Sequence, residues 1–254
     1  MIIAAIALIL FVGLVGVTLL GGRLRRFIPS EQLSPESKEG IKLALGLVAT
    51  MTAILLGLLI SSAKGSFDTA RTEVIQMAAK IALLDRVLKL YGPEAMDARR
   101  ALHDAIAEGV QRTWPADRSH PVQLDPNEQA GDAMYTAVSH LAPHDEAQRA
   151  LKTQAATLMV QLAEFRALVQ AQAVSSVSKP LLIALVIWLV LIFLGFSLLA
   201  PANTTSRLAL VAGAFSVSCA VMIILELDFP FAGIIRIPSE PMTKTLAHMA
   251  KDTT

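Results

Sequence analysis

An all-α membrane protein is predicted, with four transmembrane helices and a helical bundle inserted between spans two and three. Three observations on this 254-residue sequence predict it. Four apolar runs, Ile2–Leu20, Ile41–Ile60, Leu181–Leu199 and Leu208–Leu225, are each long enough to cross a bilayer, which takes about 20 residues. The stretch between the second and third runs is polar, with apolar residues at helical spacing and no strand-like alternation. The composition is 54% hydrophobic and 17% charged, with a mean hydropathy of +0.56, values that belong to membrane proteins rather than soluble enzymes.

The first run has no basic residue before it, and Arg23, Arg25 and Arg26 come after it. It is expected to be a retained span, not a cleaved signal. A short polar link with Pro29 and Pro35 follows, and Ser34-Pro35-Glu36 is a helix start. The second run carries Gly46, Thr50, Thr52 and Gly57 and ends on Ser61 and Ser62. Small residues four apart, such as Gly57 and Ser61, let helix backbones approach closely in lipid.

The third run opens at Pro180, a first-turn position, and holds Trp188 near its middle. The fourth carries a stripe of Ala212, Ser216 and Ala220 and a second of Ala209 and Gly213. Two small faces on one helix predict protein on more than one side, as in a homo-oligomer, the alternative being a packed monomeric four-helix bundle. Thr50, Gly57, Ser61, Ala212, Gly213, Ser216 and Ala220 are therefore candidates for oligomer contacts or pore lining. The middle of every run is free of charged residues. Proton pumps and many transporters place ionisable groups at that depth, so this class is disfavoured.

Lys64 to Lys179 reads as helical almost throughout. Val74, Met77, Ile81, Leu84, Leu88 and Tyr91 alternate steps of three and four, a heptad-like seam. Gly92 and Pro93 then end one helix and begin another. Leu151, Ala155, Leu158, Leu162, Phe165 and Val169 form a matching seam, which predicts an antiparallel pair. Two shorter helices lie between: one near Glu94–Trp114 carrying Leu102, Ile106 and Val110, and one starting at Asp125-Pro126-Asn127 and carrying Met134, Val138 and Leu141. The expected division is 1–63 (spans one and two), 64–179 (an extramembrane antiparallel bundle), 180–228 (spans three and four) and 229–254 (a Pro-rich docked segment and tail).

Chemistry-bearing constellations are sparse. There is no phosphate-binding glycine loop, paired CxxC or nucleophile elbow. Cys219 stands alone in an apolar run and cannot form an internal disulfide. His140, His144, Asp145 and Glu146 come nearest to a metal cluster, but Pro143 interrupts the helix that would align the histidines. No catalytic residue, cofactor or metal is expected, and the net charge of +1 gives no reason to expect nucleic acid. Asp68 with Arg71, and Asp85 with Arg86, read as ion pairs on a helix surface.

Two motifs carry a family resemblance. Leu227–Pro241, LDFPFAGIIRIPSEP, resembles the C-terminal signature of the bestrophin-like domain family, four-span bacterial membrane proteins. Phe67–Tyr91, within the strings SFDTARTEV and LDRVLKLYG, resembles that family's stretch after its second span. The resemblance marks Phe67, Asp68, Arg71, Asp85, Arg86 and Tyr91 in the first motif. In the second it marks Asp228, Pro230, Phe231, Gly233, Arg236, Pro238, Glu240 and Pro241. Bestrophins are pentameric anion channels with a Pro-Phe-Gly step and a calcium-holding acidic run. Pro230-Phe231-Ala232-Gly233 is similar to the step, while IIRIPSE replaces the acidic run.

The resemblance implies an oligomeric ion channel, anion-selective, in the bacterial cytoplasmic membrane, with the lipid bilayer and inorganic anions as partners. The alternative is a non-conducting membrane sensor or partner-binding module that uses the helical bundle. Lys and Arg concentrate on the cytoplasmic side of spans, so Arg23–Arg26 favour the short link inside and the 64–179 bundle outside, whereas Lys64, Arg71 and Lys179, and the resemblance to bestrophins with their cytoplasmic bundle, favour the reverse. Arg236, between Ile235 and Ile237, is expected to be a buried electrostatic anchor for the C-terminal segment.

Overall fold

The structure, a computed structural model, describes residues 2–27, 34–115, 122–123, 128–172, 178–201 and 203–251. Among these, eight α-helices account for the regular structure, with single 3₁₀ turns at Arg25–Phe27 and Pro93–Ala95 and no strand. The helices are α1 (Ile2–Leu24), α2 (Pro35–Tyr91), α3 (Met96–Thr113), α4 (Glu128–Ser139), α5 (Glu146–Gln172), α6 (Lys179–Leu199), α7 (Thr204–Asp228) and α8 (Glu240–Lys251). Four of them, α1, α2, α6 and α7, are long and apolar enough to cross a membrane. The chain is an all-α membrane protein with a helical bundle inserted between its second and third spanning helices.

It divides into two compact units: residues 1–66 with 175–228, and residues 67–174 with 229–254. In the first, α1 packs on α6 and α7. Leu14, Leu185, Leu189, Ala214 and Val221 are buried there. Phe11 and Phe215 meet edge to face with ring centroids 6.1 Å apart. Gly21 is a required small residue, because a Cβ on it would lie 2.9 Å from the Ser197 Cβ. Ser197 donates to the Thr18 carbonyl, and Arg25 donates to the Ala200 carbonyl just beyond α6. Residues 18–25 thus pair with 197–200 in the same order, so α1 and α6 run parallel and their C-terminal ends lie together.

Helix ends are set by local chemistry. Ser34 accepts from the Ser37 N–H at the head of α2, and Asn203 Oδ1 from the Ser206 N–H at the head of α7. Asp145 Oδ1 accepts from the Gln148 N–H at 2.7 Å, while Gln148 Oε1 accepts from the His144 N–H at 2.8 Å. Asp145 thus caps α5, and the Gln148 side chain reaches back one residue further, to His144. Gly92 ends α2 with φ 122°, where a side chain would be strained.

In the second unit the two seams meet. Val74, Ile81, Leu84, Leu88 and Tyr91 of α2 are buried, as are Ala155, Leu158 and Val169 of α5. Lys80 Nζ donates to Gln161 and Gln148 Nε2 to the Tyr91 carbonyl, so α2 and α5 run antiparallel here. Met134, Val138 and Leu141 are buried on and after α4. On α3 the buried positions are Ala98, Arg99 and Leu102, with the expected Ile106 and Val110 only half-buried. The helix start expected at Asp125-Pro126-Asn127 lies outside the described residues.

Two features differ from expectation. The helix α7 does not stop at Leu225 but runs on through Glu226 and Asp228, both buried. And α8 is a helix where a Pro-rich tail is expected. Pro241 sits in its first turn, where its missing N–H costs nothing, and the Ser239 carbonyl accepts from Met242 and Thr243. The buried residues Met242 and Met249, seven apart, lie on one face of α8, which packs against α3.

Candidate functional site

The membrane part of α2 has three stripes. At 3.6 residues per turn, Leu45, Thr52, Leu55, Leu59 and Ala63 form the buried one. Leu47, Met51, Ile54 and Leu58 form an exposed apolar one. Gly46, Thr50, Gly57 and Ser61 lie together within an arc of roughly 60°, and all four are exposed. A Cβ added at Gly46 or Gly57 would meet nothing within 4 Å. The Thr50 hydroxyl donates to the Gly46 carbonyl at 2.9 Å, which leaves its oxygen free to accept outward. On α7, Ala212 and Ser216 are exposed and Ala220 is half-buried, while Gly213 lies against the Phe193 ring of the same chain.

The helical unit distributes the first motif unevenly. Phe67, Asp85 and Tyr91 are buried, Asp68 is half-buried, and Arg71 and Arg86 are exposed. The expected surface pairing of Asp85 with Arg86 does not occur. Asp85 instead accepts from Arg99 Nε at 2.8 Å and Nη2 at 3.2 Å across the turn to α3. Sequence reasoning missed Arg99, since nothing in its spacing marks it. The Tyr91 hydroxyl is buried with no hydrogen-bond partner among the described residues. Burial pushes its phenol above the ordinary value, helped by the nearby Glu94 and Asp145 carboxylates.

The second motif folds onto Trp114. Phe231 is buried and meets the indole edge to face at 5.9 Å. Trp114 Nε1 donates to the Ile237 carbonyl at 2.8 Å, and the Ile237 N–H donates to the Pro230 carbonyl at 2.8 Å. Pro230 and Ile237 are buried, Pro241 is half-buried, and Pro238 and Glu240 are exposed. Gly233 makes the turn with φ 144°. Lys244, through a hydrogen bond and its charge, holds the Glu240 carboxyl below its usual range.

Arg236 is exposed, which corrects the expected buried anchor. Both backbone groups of Ile237 are tied down and its side chain is buried, while Ile234, Ile235 and Arg236 before it all stay exposed. The docking is apolar and backbone-mediated rather than ionic.

Beside Trp114 lies a cavity of about 510 Å³. Its apolar wall includes Ile81, Leu102, Ile106, Leu162 and Val169, with Phe231 and Met242 from the C-terminal segment. Its polar groups include Glu108 and Arg112 on α3, Asp132 on α4 and Arg166 on α5. Burial lowers the proton affinity of Arg166, the positive charge of Arg112 lowers it further, and the Glu108 carboxylate offsets only part of this. Glu108 lies 3.5 Å from Arg112. The His140–Glu146 stretch holds no comparable centre: its two histidines are exposed and Glu146 pairs with Arg149.

Residues 9–242 match the Bestrophin-like domain family. No curated protein matches the chain in sequence. Crystal structures of a bacterial bestrophin homologue from Klebsiella pneumoniae are similar in fold. A point-mutant form is 15% identical with a TM-score of 0.71, covering 97% of this chain and 98% of that one. One phased with zinc is 16% identical with a TM-score of 0.69, covering 97% of each. Another crystal structure, described as that of a membrane protein, is 17% identical with a TM-score of 0.69, covering 97% of each. The family match includes both motifs and reaches all four spanning helices, so this chain belongs to the bestrophin-like family of membrane proteins.

Proposed function

We propose that the chain is a subunit of a homo-oligomeric ion channel, with the Gly46–Thr50–Gly57–Ser61 face of α2 turned to the conduction path. The observation that carries this reading is the open space above Gly46 and Gly57. A helical glycine costs roughly 1 kcal/mol relative to alanine, and nothing among the described residues requires either one. Each makes sense beside a narrow path or a close neighbouring helix. The exposed Ala212 and Ser216 on α7 are offered as contacts between copies. Inorganic anions are the proposed cargo, on the strength of the resemblance to bestrophins.

Chloride flux from liposomes holding the purified protein tests this reading, and Gly57→Leu should reduce the flux. Efflux no faster than from protein-free liposomes overturns it. The alternative, a non-conducting sensor or partner-binding module, is favoured by the cavity in the helical unit. It would be the better reading if flux were absent and the cavity were occupied.

The proposed location is the bacterial cytoplasmic membrane, with the helical unit on the extracytoplasmic side. The bond from Arg25 to Ala200 supports counting the charges near both links together. Arg23, Arg25, Arg26, Lys38, Lys42 and Arg207 then stand at one end, against Lys64, Arg71 and Lys179 at the other. Cysteines at Ser37 and at Arg86, in a Cys219→Ala background, decide it: only the Arg86 position should label from outside intact cells.

A further inference from the structure

We propose that the cavity beside Trp114 binds an amphipathic organic anion, its charged head at Arg112 and Arg166 and its apolar body against Trp114 and Phe231. The volume of about 510 Å³ falls within the roughly 300–1,000 Å³ of small-molecule sites. The wall is mostly apolar, and its charged groups are Glu108, Arg112, Asp132 and Arg166. Arg112 and Arg166 come from different helices, yet they are close enough for the charge of one to disfavour the charge of the other. Both are half-buried, where repulsion between like charges is stronger than in water.

Glu108 lies beside Arg112 and is itself partly open to solvent. Its influence on Arg166 is smaller than that of burial or of Arg112, so the repulsion between the two guanidiniums is only partly offset. Asp132 lines the cavity from an exposed position. An anion placed between the guanidiniums would relieve their repulsion, and their fork-shaped donors suit a carboxylate or a phosphate. One wall is supplied by Phe231 and Met242 of the C-terminal segment, so occupancy would also hold that segment down. The inference does not rest on conduction.

The test uses the full chain in nanodiscs of neutral lipid. The protein has two tryptophans, so Trp188→Phe leaves Trp114 as the sole indole, and 12-bromododecanoate quenches it on contact. Saturable quenching is expected. Arg166→Gln and Arg112→Gln should each weaken it about tenfold, and Ala105→Phe, which fills the cavity, should abolish it. Arg149→Gln, far out on an exposed pair, should leave it unchanged. Every variant is first checked for unaltered helical circular dichroism.

Loss of the quenching when phosphatidylglycerol replaces part of the neutral lipid would identify the occupant as a membrane lipid. Its persistence would identify a free carboxylate. Equal quenching by 12-bromododecanol, non-saturable quenching, or indifference to both arginine substitutions would overturn the proposal.

Discussion

Arg99 closes a two-point clamp on Asp85, Nε to Oδ1 and Nη2 to Oδ2, with both side chains only 7% exposed. The pair joins the end of α2 to the start of α3 across the Gly92 turn. Each charge is tolerable there because the other is present.

Removing one partner should therefore be costly. Arg99→Ala or Asp85→Ala is expected to destabilise the protein by about 3–5 kcal/mol. Replacing both with leucine should recover most of that loss. Arg149→Ala, which breaks the exposed pair with Glu146, should change stability by less than about 1 kcal/mol. Thermal unfolding in detergent checks all four. Equal melting temperatures for Arg99→Ala and Arg149→Ala would refute the clamp.

Docking of the C-terminal segment depends on Trp114 and Phe231. Phe231→Ala should cost about 3–5 kcal/mol and open the now buried Ile237 and Met242 to limited proteolysis. Trp114→Phe keeps the ring contact but loses the bond to Ile237, at about 1 kcal/mol. Arg236→Ala should do neither. A cleavage pattern that changed with Arg236→Ala and not with Phe231→Ala would restore the ionic anchor.

Glycines in the membrane unit should behave differently by position. Gly21→Ala must push against the Ser197 Cβ, part of a packed helix contact, and is expected to cost about 1–3 kcal/mol. Gly57→Ala meets open space, so the isolated subunit should be unharmed or slightly more stable. Melting temperatures of the two variants in detergent make the comparison.

Tyr91→Phe should be neutral or stabilising, because it removes a buried hydroxyl with no protein partner among the described residues. The folded-state phenol pKa is raised. Its contribution to stability is therefore complete below the ordinary value of 10 and is lost as pH rises through the folded value. Alkaline difference absorbance should show a late phenol step that Tyr91→Phe abolishes, together with a smaller loss of stability above pH 10.

Much of this was legible from periodicity. The span runs, the seam from Val74 to Tyr91 and the break at Gly92 follow from spacing and from the backbone demands of glycine and proline. The family resemblance was legible from two short motifs. The pairing of Asp85 with Arg99 was not, because local spacing favours the neighbouring Arg86 and says nothing of a residue beyond the turn. Trp114 and Ile237 are 123 positions apart, so no local pattern could join them. Arg236 misleads for the converse reason: its apolar neighbours suggest burial, yet Ile235 is exposed with it and only Ile237 is buried. Ser239-Glu240-Pro241 marks the start of α8, but the Pro-rich composition of 229–254 points to a tail instead. The cavity needed walls from several helices at once.

The interleaving of the two units has a consequence for synthesis. Each is built from two separate stretches of chain, and the helical unit takes its last piece from residues 229–254. During translation, Trp114 and the neighbouring face of α3 emerge more than a hundred residues before Phe231, Ile237 and α8 can cover them. Until residues 229–254 have been made, that apolar surface is open to chaperones, to proteases and to the same surface on other nascent chains. A stop codon just after Asp228 would leave every spanning helix in place and still yield a protein that quality control treats as unfinished.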